Sequence, residues 1–250
     1  RLTNIGAANP DGSKPVWTYE DDYHYKELTP YRSSEGKPLY SYYLLRTDGV
    51  FQTDAEAAAY VNSNGQRLQP KAKAGDLKFV DIDQNGSIGE GDYEFRGNAM
   101  PKMTYAFCAG FSYKKFSFDF MLQGSYGAKL FNAYKYTTLN AAVGSFNRSE
   151  KILKALEGPT YDVPRISMTD DNDNFGRISD WYLESGSYLR MKNISISYSF
   201  SDLLRKLAFF NQRQSTLDLT LSCDNLFTIT PYSGIDPEVG GVGLDCGQYP

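Results

Sequence analysis

Residues 81–92, Asp81-Ile-Asp-Gln-Asn-Gly-Ser-Ile-Gly-Glu-Gly-Asp92, carry the oxygen-rich spacing of a twelve-residue calcium loop. A hard divalent cation takes roughly 6–8 oxygen ligands at about 2.3–2.6 Å, and alternate residues of a tight loop can aim their oxygens at one point. On that pattern Asp81, Asp83 and Asn85 supply side-chain oxygens, Ser87 supplies a backbone carbonyl, Gly86 permits the sharp turn, and Asp92 closes the shell. An EF-hand normally closes with the longer, bidentate Glu, so the shorter Asp92 must reach further in. The flanks depart from an EF-hand as well: Leu77-Lys-Phe-Val80 and Tyr93-Glu-Phe95 alternate like strands rather than helices. The competing reading is an Asp/Asn/Gly turn whose side chains cap their own backbone. Calcium is the one cofactor the sequence suggests.

Other reaction chemistry is sparse. His24 is the only histidine, so no Ser/His/Asp or Cys/His set forms without it. Cys108, Cys223 and Cys246 lack metal-ligand spacing. No Gly-rich phosphate loop follows a strand. Asp162 with Glu184 is a conceivable glycosidase pair, but no spacing singles it out. The chain is read as a non-enzyme with no catalytic residues. Asp170-Asp-Asn-Asp-Asn174 is oxygen-rich without calcium-loop spacing and reads as a solvated loop.

The elements that must carry the loop are strands. In Met103–Tyr113 the odd positions are Met, Tyr, Phe, Ala, Phe and Tyr, and the even ones are small or polar. After Lys114-Lys115 the pattern resumes with Phe116, Phe118, Phe120 and Leu122, which predicts a β-hairpin with one apolar face. A third strand spans 188–200, with a parity break near Arg190 and Lys192 that predicts a bulge. A fourth spans 216–227. These runs exceed the mean globular strand of about 5–6 residues and match the roughly 9–11 of a tilted membrane strand. Thr53-Asp-Ala-Glu56 predicts a capping box opening a short helix, and 149–157 predicts a helical turn or two stopped by Gly158-Pro159. The region before Tyr40 shows little regular signal. Short connections at Lys114-Lys115 and 201–207 contrast with some sixty residues between the second and third strands, an asymmetry found in outer-membrane barrels.

Composition agrees. In 250 residues the net charge is −4, with no basic run, so nothing points to nucleic acid. Aromatic residues reach 15% while mean hydropathy is −0.49. No stretch approaches the ~18 apolar residues of a membrane helix, which leaves open a β-barrel whose strands alternate. The chain starts at Arg1 without an initiator Met and reads as a piece of a longer protein.

Taken in order, several stretches resemble the C-terminal part of the SusC/RagA family of TonB-dependent outer-membrane transporters, over about 39–250. They are Gly49-Val-Phe-Gln-Thr-Asp-Ala-Glu-Ala-Ala-Ala-Tyr60, Gly75-Asp-Leu-Lys-Phe-Val-Asp-Ile-Asp-Gln-Asn-Gly86, and Gly97-Asn-Ala-Met-Pro101 leading into the hairpin that ends Leu122-Gln-Gly-Ser-Tyr-Gly127. Later come Asp180-Trp-Tyr-Leu-Glu-Ser-Gly-Ser-Tyr-Leu-Arg-Met-Lys-Asn-Ile194, Ser222-Cys-Asp-Asn-Leu-Phe-Thr228 and Tyr232-Ser-Gly-Ile-Asp-Pro-Glu-Val239. The resemblance implies an all-β fold: a C-terminal segment of a large antiparallel transmembrane β-barrel with long extracellular loops carrying short helices. The whole chain, 1–250, is then one part of the barrel, with the plug domain, TonB box, early strands and last strand outside it.

It further implies an active importer in the bacterial outer membrane for oligosaccharides or peptides, covered by a SusD-like surface lipoprotein and energised by TonB–ExbB–ExbD through the N-terminal part. On this reading Tyr105, Phe107, Phe111, Phe116, Phe118 and Phe120 face lipid, and Tyr113 and Tyr126 join interfacial girdles. Asp119, Gln123, Asp218 and Asp224 line the lumen. Tyr134, Tyr136, Trp181 and Tyr182 are loop aromatics that either meet cargo or lid or pack the loop itself. The alternative is a secreted, calcium-stabilised β-module that binds glycans or acts as an adhesin, with the apolar rows forming a sandwich core.

Overall fold

The computed structural model describes residues 17–23, 26–143, 147–200, 216–241 and 243–247. In chain order its strands are β1 (Trp17–Tyr23), β2 (Lys26–Ser33), β3 (Ser41–Leu45), β4 (Thr47–Val50), β5 (Leu77–Phe79), β6 (Tyr93–Asn98), β7 (Met103–Tyr113), β8 (Phe116–Tyr126), β9 (Lys129–Asn132), β10 (Leu183–Ser185), β11 (Tyr188–Ser199), β12 (Asp218–Asp224), β13 (Thr228–Ile229) and β14 (Leu244–Asp245). The short helices are α1 (Asp54–Ala59), α2 (Tyr134–Leu139) and α3 (Lys154–Glu157). Among the described residues no helix is long and apolar enough to cross a membrane, which says nothing of strands.

The chain divides into two compact units. One comprises Met100–Ala128 and Ser185–Tyr232 and is an antiparallel sheet in the order β12-β11-β8-β7, with β13 also on β11. The predicted hairpin forms at its expected limits. Lys114, at φ +57°, makes the tight connection, and the register runs without a slip from Tyr113 opposite Phe116 to Met103 opposite Tyr126. Because side chains alternate with period two, that register puts Tyr105, Phe107 and Phe111 on the same face as Phe118, Phe120 and Leu122. A one-residue slip would move the whole row to the polar face.

The predicted bulge is present between Met191 and Asn193. It lets Leu189 and Met191 share the apolar face with Leu122, while Ile194, Ile196 and Tyr198 continue it opposite Phe120, Phe118 and Phe116. At the bulge Asn225 and Leu226 donate to the carbonyls of Lys192 and Met191. With Asn225 at φ +52°, the chain leaves β12 and re-pairs with β11 as β13. The fourth strand is therefore shorter than the predicted 216–227. The connection expected at 201–207 lies outside the described residues, as does His24.

The other unit holds the remaining residues and contains the apolar core. Tyr31, Tyr42, Leu44, Leu77, Phe79, Phe131, Val163, Trp181 and Tyr182 pack together there. Its sheets run β1-β2-β3-β6, β4-β5 and β10-β9-β14, the last with β9 and β14 parallel. Strands β1 and β2 correct the expectation of little regular structure before Tyr40; they pair antiparallel through a bulge between Tyr19 and Asp21.

Helix α1 is capped by Thr53, whose hydroxyl accepts from Glu56 N at 3.1 Å. The Glu56 carboxylate reaches one residue further back than a capping box requires, to Gln52 N at 2.8 Å. The 149–157 stretch is a 3₁₀ turn running into α3, and Gly158 stops it.

Candidate functional site

The strand flanks predicted around the calcium loop are β5 and β6, and the loop between them folds inward on its acids. Gly86 takes φ +87°, a conformation that costs a β-carbon-bearing residue, and its N–H donates to Asp81 Oδ2 at 2.9 Å. Asp83 Oδ1 accepts from Asn85 N at 3.0 Å. A 3₁₀ turn at Glu90–Asp92 then swings Asp92 back. Asp92 is fully buried; its Oδ1 accepts from Ile82 N at 2.6 Å and its Oδ2 from Gly89 N at 2.7 Å. One carboxylate oxygen each from Asp81, Asp83 and Asp92 come within 4.8 Å of one another.

These residues fit a hard cation. All three donors are carboxylates, the chemistry that calcium selects. Asp81 Oδ1 is shielded from solvent with no hydrogen-bond partner, and Asp83 occupies space that a β-carbon at residue 91 would fill. Asn85 stands differently from expectation. The Asn85 amide donates to Asp83 Oδ2 at 2.8 Å, and its oxygen accepts from Ser87 N and Oγ at 2.9 and 2.7 Å. The side-chain oxygen assigned to the cation is thus held by Ser87. Sequence spacing did not reveal the second contact of the loop: Asn62 Nδ2 donates to Gly86 O at 3.2 Å, tying it to the turn after α1. Tyr60 is close by, and burial, reinforced by Asp48 and Asp81, raises its phenol above the usual value.

The loop aromatics separate into two groups. Tyr134 is exposed, while Tyr136 packs against the core. Trp181 and Tyr182 are buried at 2% and 3% exposure. For these two the structure shows the packing role, one of the two roles the sequence left open. Trp181 Nε1 donates to Tyr161 O at 2.7 Å, Tyr182 Oη donates to Phe175 O at 2.7 Å, and the Tyr182 ring stacks on Phe131 with centroids 5.0 Å apart. Large rings with one polar tip are interior residues when that tip finds a partner.

The 170–174 run is also corrected from a solvated loop. Asn172 and Asn174 are buried. Asn174 Oδ1 accepts from Leu77 N at 2.9 Å, its amide donates to Asp76 Oδ1 at 2.8 Å, and Asn172 donates to Leu77 O at 3.2 Å. Gln69 completes the set with bonds to Leu77 O and Phe79 N, both at 2.8 Å. Side-chain amides here satisfy the edge of β5 in place of a neighbouring strand. Arg165 Nε pairs with buried Asp76 at 2.9 Å.

The Asp162 and Glu184 carboxylates are each engaged elsewhere. Asp162 pairs with Lys154 at 3.0 Å on the surface. Glu184 accepts from Lys135 Nζ at 2.8 Å, from Ser233 N and Oγ at 2.7 and 2.8 Å, and from Asn132 at 3.2 Å. Burial alone would raise the Glu184 carboxyl, but the Lys135 charge and these donors outweigh it and hold the carboxyl below its ordinary value.

On the sheet, Asp119, Asp218 and Asp224 are exposed and Gln123 is half-buried. The register puts all four on the face opposite the aromatic row. That face is otherwise small and polar, laced by Asn193 Nδ2 to Asp224 Oδ1 at 2.7 Å and a Ser197–Thr220 hydroxyl pair at 2.9 Å. The opposite face leaves Phe107, Phe111, Tyr113 and Leu221 exposed. Long antiparallel strands with an exposed apolar face and a polar reverse define the wall of a β-barrel of the membrane type.

No family model matches the chain. It is 30% identical over 231 residues to TonB-dependent receptor P3 of Formosa agariphila, a match covering 86% of this chain and 21% of that protein. It is 25% identical over 173 residues to TonB-dependent receptor SusC of Bacteroides thetaiotaomicron, covering 69% and 16%. Among solved structures it is similar to the RagAB peptide importer in the open-open state, with TM-score 0.62, 22% identity, and 89% of this chain and 22% of that chain covered. The chain therefore matches a segment of SusC/RagA-like TonB-dependent receptors. It spans about a fifth of the length of the curated relatives it matches.

Proposed function

We propose that the chain is the C-terminal part of a TonB-dependent importer in a bacterial outer membrane. The observation that carries this reading is the two-faced sheet: four strands whose aromatic face is exposed and whose reverse is polar. The aromatic face meets lipid, and the polar face lines the path of the cargo. Tyr113 and Tyr126 terminate the hairpin's apolar row at opposite ends, where interfacial girdles belong. The unit with the buried core supplies extracellular loops with short helices. Plug, TonB box and the strands that close the barrel come from the rest of the protein. The similarity to SusC and to RagAB supports energised uptake through TonB–ExbB–ExbD, a SusD-like lipoprotein lid, and oligosaccharide or peptide cargo. No step in such transport makes or breaks a covalent bond in the cargo.

Calcium has a structural part in this reading. Bound by Asp81, Asp83 and Asp92, with loop carbonyls completing the shell, it clips β5 to β6 and holds the turn that Asn62 contacts. Without flanking helices the loop has nothing to swing, so it braces rather than signals.

The test uses intact cells with and without the parent gene, fed fluorescent oligosaccharides or short peptides in the presence or absence of a protonophore. The importer reading expects one cargo class to accumulate only with the gene present and the proton gradient intact. Equal accumulation in all four conditions contradicts it. A 250-residue chain that folds as a monomer in water without detergent, with calcium raising its melting temperature, would favour the secreted module instead.

A further inference from the structure

Alternation alone does not fix how the strands of the two-faced sheet are aligned. A slip of one residue turns the apolar row to the polar side, but a slip of two keeps every aromatic and every hydroxyl on its own face. Between β7 and β8 the tight turn at Lys114 forbids such a slip. Between β8 and β11 there is no short turn, because residues 127–187 separate them. The bulge in β11 is held from the β12 side, by Asn225 N to Lys192 O, and ties β11 to β12 rather than to β8.

One side chain spans all three strands. Tyr105 of β7 stands opposite Gly124 of β8, which is itself opposite Leu189 of β11. The Tyr105 ring lies flat over Gly124, so that a β-carbon at residue 124 would overlap it. Its hydroxyl donates to the backbone carbonyl of Tyr188, on β11, at 3.1 Å. Laid down in this way Tyr105 is 40% exposed, against 57% for Phe107 and 60% for Phe111 in the same row.

We propose that Tyr105 is a register clasp, a positioning residue that sets β11 against β8 where no turn does. Neighbouring strands lie about 4.7–4.9 Å apart, so β11 is roughly 9–10 Å across the sheet from β7. A tyrosine hydroxyl covers that distance only by crossing the middle strand at a residue without a side chain. Of the β8 residues on this face, Phe116, Phe118, Phe120, Leu122, Gly124 and Tyr126, Gly124 is the only glycine. A slip of β11 by two residues would carry the Tyr188 carbonyl roughly 6–7 Å along the sheet, out of reach of the hydroxyl. In a closed barrel the stagger of the strands is linked to their tilt and to the diameter. On the reading of this sheet as a barrel wall, on which this consequence rests, the clasp therefore also holds the width of the lumen.

Disulfide trapping reads the register directly. In the full-length receptor in outer membranes, with native cysteines replaced by Ser, three cysteine pairs are placed across β8 and β11: Asp119→Cys with Ser195→Cys, Asp119→Cys with Ser197→Cys, and Ser117→Cys with Ser195→Cys. The first pair is opposed in the observed register, and the other two become opposed after a slip of two residues in either direction. Opposed residues have α-carbons about 4.5–5.5 Å apart, within disulfide reach, whereas a pair offset by two residues lies beyond about 7 Å. Only receptor with the heat-modifiable gel mobility of an assembled barrel is counted. The 119–195 bridge should dominate when Tyr105 and Gly124 are intact. Tyr105→Phe, which keeps the ring and loses the hydroxyl, should raise the ratio of offset to opposed bridges about threefold. Tyr105→Ala and Gly124→Ile should raise it about tenfold or more, since the ring's cover is lost as well. Phe107→Ala removes a ring from the same row and should leave the ratio unchanged. Should the larger changes prevent assembly, Tyr105→Phe decides alone. An unchanged ratio in Tyr105→Phe, an equal rise in Phe107→Ala, or no 119–195 bridge in the receptor with Tyr105 and Gly124 intact overturns the clasp. The bridges report strand alignment alone, so the clasp can fail while the importer reading stands, and uptake can fail while the clasp stands.

Discussion

Phe131 and Phe111 are the same side chain in opposite surroundings. Phe131, on β9, is fully enclosed between Tyr42 and Tyr182, whereas Phe111, on β7, is 60% exposed. The difference holds across their units. The unit built around β3, β6 and β9 turns its aromatics inward and pins their polar tips, as Tyr42 Oη does to Gly243 O at 3.0 Å. The β7–β8–β11–β12 sheet turns its aromatics outward on one face and keeps hydroxyls and carboxylates on the other. Burying apolar surface against water is what normally stabilises a fold. An open apolar face fits the proposed role of this sheet as a barrel wall, where the surrounding solvent is itself apolar.

Substitutions can break this comparison. Phe131→Ala removes a core ring and should cost about 3–5 kcal/mol, read as earlier proteolysis and faster hydrogen exchange in the core unit of the full-length receptor. Phe111→Ala should leave exchange in that unit unchanged. Phe107→Arg, near the middle of β7, should cost about 2–4 kcal/mol in the bilayer, falling to about 0–1 for Tyr113→Arg near the rim. Equal costs at both positions would mean that the face has no depth-dependent solvent.

The proposed calcium clip bears on the core unit alone. At free calcium about 100 times its Kd, the loop should gain about 2.7 kcal/mol of resistance to opening, measured as protection of residues 81–92 from protease. The double variant Asp81→Asn, Asp83→Asn should lose that protection while the sheet remains assembled. If calcium leaves the protease sensitivity of the unsubstituted protein unchanged, the clip is wrong.

Glu184 gives a pH signature to the same unit. Its carboxyl is held lower in the folded state than the ordinary 4.5, so its contribution is fully present above that value and is lost as pH falls below it. Glu184→Gln should cost about 1–3 kcal/mol at neutral pH and should flatten the acid limb of the stability profile. The smallest effect belongs to the cap of α1, where Thr53→Ala should cost about 1 kcal/mol, seen as faster exchange confined to residues 54–60.

The two units also differ in how much of them could be read from sequence. The hairpin and its register were legible because each residue's face follows from the next: Met103 to Tyr113 alternate without error, and Lys114-Lys115 fixes the return. The bulge was legible as a break in that alternation. In the core unit, alternation fails because strands are enclosed by partners far away in sequence. The β5 edge is satisfied by Asn172 and Asn174, ninety-odd residues on, and no local pattern announces such bonds. The three acids of the 81–92 loop that come together could be named from spacing, since Asp81, Asp83 and Asp92 converge. The turning of Asn85 to Ser87 could not, because it depends on which of two short-range hydrogen bonds wins. For Trp181 and Tyr182 the sequence could not choose between cargo contact and packing of the loop, because the loop holding them is long. Their burial is set by Tyr161 and Phe175, which receive their polar atoms.

The most direct test of the central claim, that one sheet face meets lipid, is depth-dependent quenching in the full-length receptor. Single Trp residues are placed at Phe111, at Ser195 on the polar face and at Phe131 in the core, against a background stripped of other Trp, in bilayers containing brominated lipid. Strong quenching at position 111 with little at 195 and 131 is the predicted result. Equal quenching at 111 and 195, or none at 111, would contradict the account.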